Sequence, residues 1–296
     1  METALPTVHT FLVNAVVEHV RSCDTGLHHL RLLHEHDPID AWSWLPTEPV
    51  DANRVLKAEV CAMPLDTQEG ATHVVTRIVP MPDLDVFNLI PDGFGRTEDV
   101  VLRCRDVVDA CRTSPLRRFL SDVFSMPEVY RDFWNCPASR SHPHAYPGGL
   151  ALHSIEMAEN VRDTPRLSDL ERDVGIAHAL THDIGKLWCY APGASHLHAL
   201  GHELVGLGQL HYALERLALD WPDGAIALRS LLSGQWKRLG GKPLMAVGSL
   251  VRAYDQASAE NDLRPRRRHP HRPWSPSTPD DGKVLPFRRD LRAPLQ

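Results

Sequence analysis

The hydrophobic pattern changes character twice along the 296-residue chain. Near the N-terminus, apolar positions come in five short runs: TFLVNAVVEHV from Thr10, LHHLRLLHE from Leu27 after a turn at Gly26, DAWSWL from Asp40, RVLKAEVCAM from Arg54 and THVVTRIVPM from Thr72. The runs are rich in Val, Leu and Trp and are separated by Asp, Pro or Gly, which predicts strands and turns. Five strands in about 70 residues suit a small barrel of the OB type, although a split sheet would read similarly. Residues 81–96 are rich in Pro, Asp and Gly and read as a linker. From Thr97 the apolar spacing becomes three to four. TEDVVLRCRDVVDACR predicts a helix, with Thr97, Glu98 and Asp99 at its start. Pro115 and Pro127 punctuate two further helices, and Pro165, Pro192, Pro222 and the Gly240–Gly241 pair break a helical region that runs from Leu150 to about Glu260. The pattern therefore predicts an α+β chain: a β-barrel over 1–80, a linker over 81–96, an all-α domain over 97–262 and a disordered Arg/Pro-rich tail over 263–296.

Composition narrows the classes. No apolar run approaches the roughly 18–20 residues of a membrane span. The N-terminus lacks the basic region of a signal peptide. The six cysteines form no CxxC pair, so reduced thiols in a cytoplasmic protein are expected rather than a disulfide framework or a zinc ribbon. The net charge is −6. Residues 263–296 hold eight Arg and one Lys against three Asp, or +6, which leaves −12 on the rest. Such a body is not a general polyanion binder, and a nucleic acid would have to be held by the tail, a groove or a metal.

Eighteen histidines make isolated pairs uninformative. His36–Asp37 precedes a proline and reads as a turn. His182–Asp183 follows an apolar helical segment in GIAHALTHDIGKLW, where burial of both groups is costly unless they pair or bind a cation. Lys186 projects to the same side, where its ammonium would meet a phosphate. In HPHAYPGGLALHS, a turn at Pro147–Gly148–Gly149 opens a helix with His153 just inside it. A lone histidine there would suit core packing, but beside a buried His-Asp it becomes a metal-ligand candidate. Asp255, in the apolar segment MAVGSLVRAYDQASAE, is the candidate fourth ligand. A carboxylate facing solvent is the alternative. His144 is a candidate phosphate donor or proton carrier, and Tyr146 either a base- or sugar-stacking residue or a packed rim residue. Gly148 and Gly149 are expected where a side chain would obstruct either the turn or a close substrate. His142 is left without a role.

The order His153, His182–Asp183, Asp255 resembles the HD-domain metal-dependent phosphohydrolases. PASRSHPHAYPGGLALHSIEMA, ALTHDIGKL and GHELVG are similar to the HD domains of YhaM-type 3′→5′ exoribonucleases, which carry an OB-like domain ahead of the HD domain. The PAS…HAYPGGL…H pattern alone is also similar to the TraI-like HD region of MobH-type conjugative relaxases. The resemblance implies an all-α HD domain, one or two divalent ions and His202 as a second-metal ligand. It also implies a histidine pair where this chain has Gln235 and Trp236. His211 is a substitute only under a different helix arrangement.

A mixed His/carboxylate shell suits Mn²⁺, Mg²⁺ or Fe²⁺. Bound there, such an ion would acidify a water and polarise a phosphoryl oxygen, with Lys186 and His144 offsetting charge and Asp183 bridging or orienting the water. Together with the OB-like module, the resemblance implies a phosphodiesterase on single-stranded RNA or DNA, acting from the 3′ end. A nucleotide phosphohydrolase, a conjugation-related DNA-processing protein and a non-catalytic nucleic-acid-binding protein remain alternatives. Oligomeric state stays open.

Overall fold

The computed structural model describes residues 10–262 apart from 46, 48–50, 52, 68–69, 97–98, 141–143 and 239. Five strands form at the five apolar runs: β1 (Phe11–Ser22), β2 (His28–Leu33), β3 (Ile39–Ser43), β4 (Leu56–Thr67) and β5 (Gly70–Pro80). They close into a barrel in the order β1-β2-β3-β5-β4. The parallel pairing of β3 with β5, at Ala41–His73 and Trp42–Val74, completes the closure. This order and connectivity fit an OB-like barrel rather than a split sheet. Small and branched side chains fill the interior, including Ala15, Val17, Leu30, Leu32, Ala58 and Val60. The alternation breaks at Ala15–Val16–Val17, all buried. Val16 points out of the barrel and, with Leu33, joins the core of the helical region.

The segment read as a linker is packed. Two short 3₁₀ turns, Val86–Leu89 and Asp92–Phe94, run through it. Val86, Phe87, Leu89 and Ile90 are buried in the helical core. Asp85 caps the first turn by accepting from the Phe87 amide. Burying Phe87 contributes roughly 2 kcal/mol, and its ring lies 4.9 Å from that of Phe124.

The helices follow in sequence: α1 (Val100–Asp109), α2 (Ser114–Phe124), α3 (Pro127–Asp132), α4 (Gly149–Arg162), α5 (Asp169–Thr181), α6 (Lys186–Cys189), α7 (Ser195–Leu200), α8 (His202–Gln209), α9 (His211–Asp220), α10 (Pro222–Leu232), α11 (Gln235–Arg238) and α12 (Val247–Asp262). Asp99 precedes α1 with a left-handed φ of 62° and no side-chain cap. Thr97 and Glu98 lie outside the described residues, as do His142 and the whole tail read as disordered. A reciprocal capping box between Ser168 and Glu171 starts α5. From Asp173 onward α5 is buried continuously, and it packs against both α4 and α12.

Barrel and helices share a polar junction as well as a core. Arg54 reaches Asp122 of α2 at 2.6 Å, and the Val55 amide donates to the Ser125 carbonyl at 2.8 Å. Buried Lys57 donates to the Leu84 carbonyl. Among the described residues no helix is long and apolar enough to cross a membrane.

Candidate metal centre

His153 is placed by the turn before its helix. Gly148, with φ of 84°, is the residue before α4. A Cβ on Gly149 would lie 2.1 Å from the His144 carbonyl oxygen. That carbonyl in turn accepts from the Ala138 amide at 3.0 Å. Both glycines are buried and serve this backbone crossing, which gives the Pro-Gly-Gly turn a structural reason independent of any substrate.

His182 and Asp183 come directly after α5. The Nδ1–H of His182 donates to the Ala179 carbonyl at 2.9 Å. Its buried Nε2 makes no hydrogen bond among the described residues. An imidazole fixed in this way presents an Nε2 lone pair, as metal-ligating histidines do.

The donors converge from three helical segments. His153 Nε2 is 3.3 Å from Asp255 Oδ1 of α12 and 3.7 Å from Asp183 Oδ2. His182 Nε2 is 3.4 Å from the same Asp183 oxygen. Ligand atoms of His153, His182 and Asp255 lie within 4.8 Å of one another. A shell with bonds of about 2.0–2.2 Å has edges of roughly 3.0–3.6 Å. The donor set and the 3.3–3.7 Å separations about His153 Nε2 and the Asp183 oxygen suit a divalent ion.

The electrostatics agree. Burial pushes the Asp183 carboxyl up, but His182, Lys186 and the His202 hydrogen bond outweigh it and hold it well below the usual range. Burial likewise raises Asp255, yet the hydrogen bond from His153 and the nearby His182 leave it lowered. For Lys186 burial favours the neutral amine. The Asp183 carboxylate, 2.5 Å from its Nζ, reverses that and keeps the ammonium.

His202 approaches from α8 and places Nε2 3.0 Å from Asp183 Oδ1. A cavity of about 170 Å³ opens here, lined by His182, Asp183, Lys186, His202 and Asp255 on its polar side and by Leu231 and Leu232 of α10 on the other. Gln235 and Trp236, where the sequence resemblance implies a histidine pair, are not part of that lining. Trp236 instead lies beneath the Arg252 guanidinium, 5.9 Å away. His211 is exposed and 3.7 Å from Glu215 on its own helix. Buried His178, one turn before His182, also lines the cavity and was not singled out in the sequence. Its i, i+4 spacing from His182 was the available signal.

His144 is buried in a left-handed conformation, φ 51°. Its Nδ1 is 2.8 Å from the Tyr146 hydroxyl and its Nε2 3.2 Å from Ser258 Oγ. Ser258 also sits 3.1 Å from His153 Nδ1. Nothing in the DQASAE run marks Ser258 for this position.

Neither a family model nor a solved structure matches the chain. A curated relative, the 3′-5′ exoribonuclease YhaM of Geobacillus sp. (strain WCH70), is 23% identical over 154 residues. The match covers 50% of this chain and 47% of the relative, so the chain spans about half the length of the curated relative it matches.

Proposed function

We propose that the protein is a metal-dependent phosphodiesterase that shortens single-stranded nucleic acid from its 3′ end, with an HD-type helical domain over 97–262 behind an OB-like barrel over 1–80. The observation that carries this reading is the clustering of ligand atoms of His153, His182 and Asp255 within 4.8 Å of one another, with an Asp183 oxygen 3.7 and 3.4 Å from the two histidines and Lys186 beside that oxygen. The likeness to an exoribonuclease supports the substrate class.

His153, His182, Asp183 and Asp255 would hold a Mn²⁺, Mg²⁺ or Fe²⁺ ion. When bound, that ion supplies Lewis-acid polarisation of a phosphoryl oxygen and an acidified water. The chain's own residues do the rest. Lys186 keeps its ammonium at the cavity, where it offsets charge building on the phosphoryl oxygens. His202 holds the second oxygen of Asp183 and fixes the plane of that carboxylate. Leu231 and Leu232 add an apolar part to the cavity lining, and Gln235 and Trp236 stand where the resemblance implies a second pair of imidazoles, which favours a single ion.

The test is degradation of 5′-labelled single-stranded RNA and DNA with Mn²⁺ or Mg²⁺, comparing wild type with Asp183→Ala. A metal-dependent ladder shortening from the 3′ end, absent in the variant, is expected. Turnover of mononucleotides without strand degradation would replace this reading with that of a nucleotide phosphohydrolase.

A further inference from the structure

Four side chains form an unbroken line from the candidate metal centre to the turn ahead of α4. Tyr146 Oη meets His144 Nδ1 at 2.8 Å, His144 Nε2 meets Ser258 Oγ at 3.2 Å, and Ser258 Oγ meets His153 Nδ1 at 3.1 Å. The far nitrogen of His153 is the one that faces Asp255, at 3.3 Å. A neutral imidazole carries one N–H and one lone pair, and a hydroxyl both donates and accepts. The line can therefore be satisfied in two directions, and the direction at one end favours the same direction along it.

With the Nε2–H of His153 donating to Asp255, His153 Nδ1 accepts from Ser258. Ser258 then accepts from His144 Nε2–H, and His144 Nδ1 accepts from the Tyr146 hydroxyl. When His153 Nε2 is a ligand it carries no hydrogen, so its proton must sit on Nδ1 and donate to Ser258. Ser258 then donates to His144 Nε2, and His144 Nδ1–H donates to Tyr146.

We propose that Ser258 is a positioning residue that couples the metal-bound state of His153 to the tautomer of His144 and the hydrogen-bonding direction of Tyr146. Loading the site reverses the line. One proton leaves His153 Nε2 for solvent, each inner proton moves one bond outward to inward, and Tyr146 takes one proton back from solvent, so the net charge of the line is unchanged. Tyr146 changes from a donor to His144 into an acceptor from it, and its hydroxyl hydrogen is directed away from His144. The inference rests on the metal reading of His153 but not on the phosphodiesterase activity.

The test is ¹⁵N NMR of histidine-labelled full-length protein, with His144 and His153 signals assigned by His144→Gln and His153→Gln. Zn²⁺ is the diamagnetic probe. On Zn²⁺ addition both residues should change from the Nε2–H to the Nδ1–H form. In Ser258→Ala, His144 should no longer follow His153, and Zn²⁺ affinity should fall about 10- to 100-fold, as for other supporting partners of metal ligands. Ser258→Thr, which keeps the hydroxyl, should restore the coupled change. A His144 tautomer that stays fixed while His153 binds Zn²⁺, or an absence of Zn²⁺ binding at His153, would overturn the proposal. Coupled tautomers in a protein that degrades no nucleic acid would leave it standing and sink the activity alone.

Discussion

A methyl group on Gly185 would lie 2.0 Å from the carbonyl oxygen of His202 and 2.6 Å from the amide nitrogen of Gly206. The glycine of the HDIGK run thus lets the start of α8 come close enough for His202 to reach Asp183. Both atoms it would meet are backbone, so a side chain cannot be absorbed by a rotamer change. Gly185→Ala should cost about 1–3 kcal/mol, the range for overpacking a filled site, and should separate His202 from Asp183. Urea unfolding measures the first effect, and wild-type stability in the variant would contradict the packing argument.

Asp122 is the anion of the barrel–helix junction. Burial raises its pKa, and Arg54 with Arg216 opposes that. The Arg54 and Asp122 side chains are only 13% and 10% exposed. Asp122→Ala leaves a largely buried guanidinium without this partner, which should destabilise the protein by about 3 kcal/mol. Replacing both residues by leucine removes the uncompensated charge, so the double variant should recover much of that loss in urea unfolding. Equal loss in both variants would show that packing, rather than charge, sets the junction.

The difference between what was and was not legible in the sequence is physical. The five strands were visible because short runs rich in Val, Leu and Trp, which suit a pleated and half-buried wall, are separated by the Asp, Pro and Gly that favour turns. Residues 81–96 read as a linker because they are rich in Pro, Asp and Gly, while the anchors Val86, Phe87 and Leu89 lie within a 3₁₀ turn whose short period is neither 2 nor 3.6, with Ile90 directly after it. His153, His182, Asp183 and Asp255 could be picked out because burying such groups without a partner is costly. Ser258 could not, because a serine among Ala, Gln and Glu on a helix is ordinary and its role arises only when α12 meets α4. Likewise, the packing reason for Gly149 depends on the His144 carbonyl, a contact made by the folded turn.

Metal affinity should depend on pH through His182. Burial disfavours its imidazolium, but the Asp183 carboxylate outweighs burial and raises its pKa above the ordinary 6.5. A ligand nitrogen must be unprotonated, so protons compete with the ion as pH falls through that raised value. Asp183 and Asp255 are lowered and stay ionised across the same window. Below the His182 pKa, Mn²⁺ affinity should fall by about tenfold per pH unit. The metal-free protein should show the opposite sign. Protonated His182 paired with Asp183 contributes stability fully present below pH 6.5, and that contribution is lost as pH rises through the raised pKa. Calorimetric Mn²⁺ titrations and metal-free urea unfolding, each from pH 6 to 8, separate the two. A pH-independent affinity would remove His182 from the ligand set.

The charge asymmetry of the chain yields a last prediction. The Arg/Lys-rich residues 263–296 carry +6 against −12 for the remainder, so the body repels a polyanion while the tail attracts it. Contacts between such a segment and phosphates release counterions, and each one lost should flatten the dependence of log affinity on log salt by about 0.7 for a single strand. A chain ending at residue 262 should therefore bind single-stranded RNA or DNA more weakly at low salt and with a shallower slope. Metal binding should stay unchanged, because His153, His182, Asp183 and Asp255 all precede the cut. Fluorescence anisotropy across a salt series, beside a Mn²⁺ titration of the same sample, measures both. An unchanged slope would mean that nucleic acid is held by the barrel or the metal centre and that the tail is only a solvated charge run.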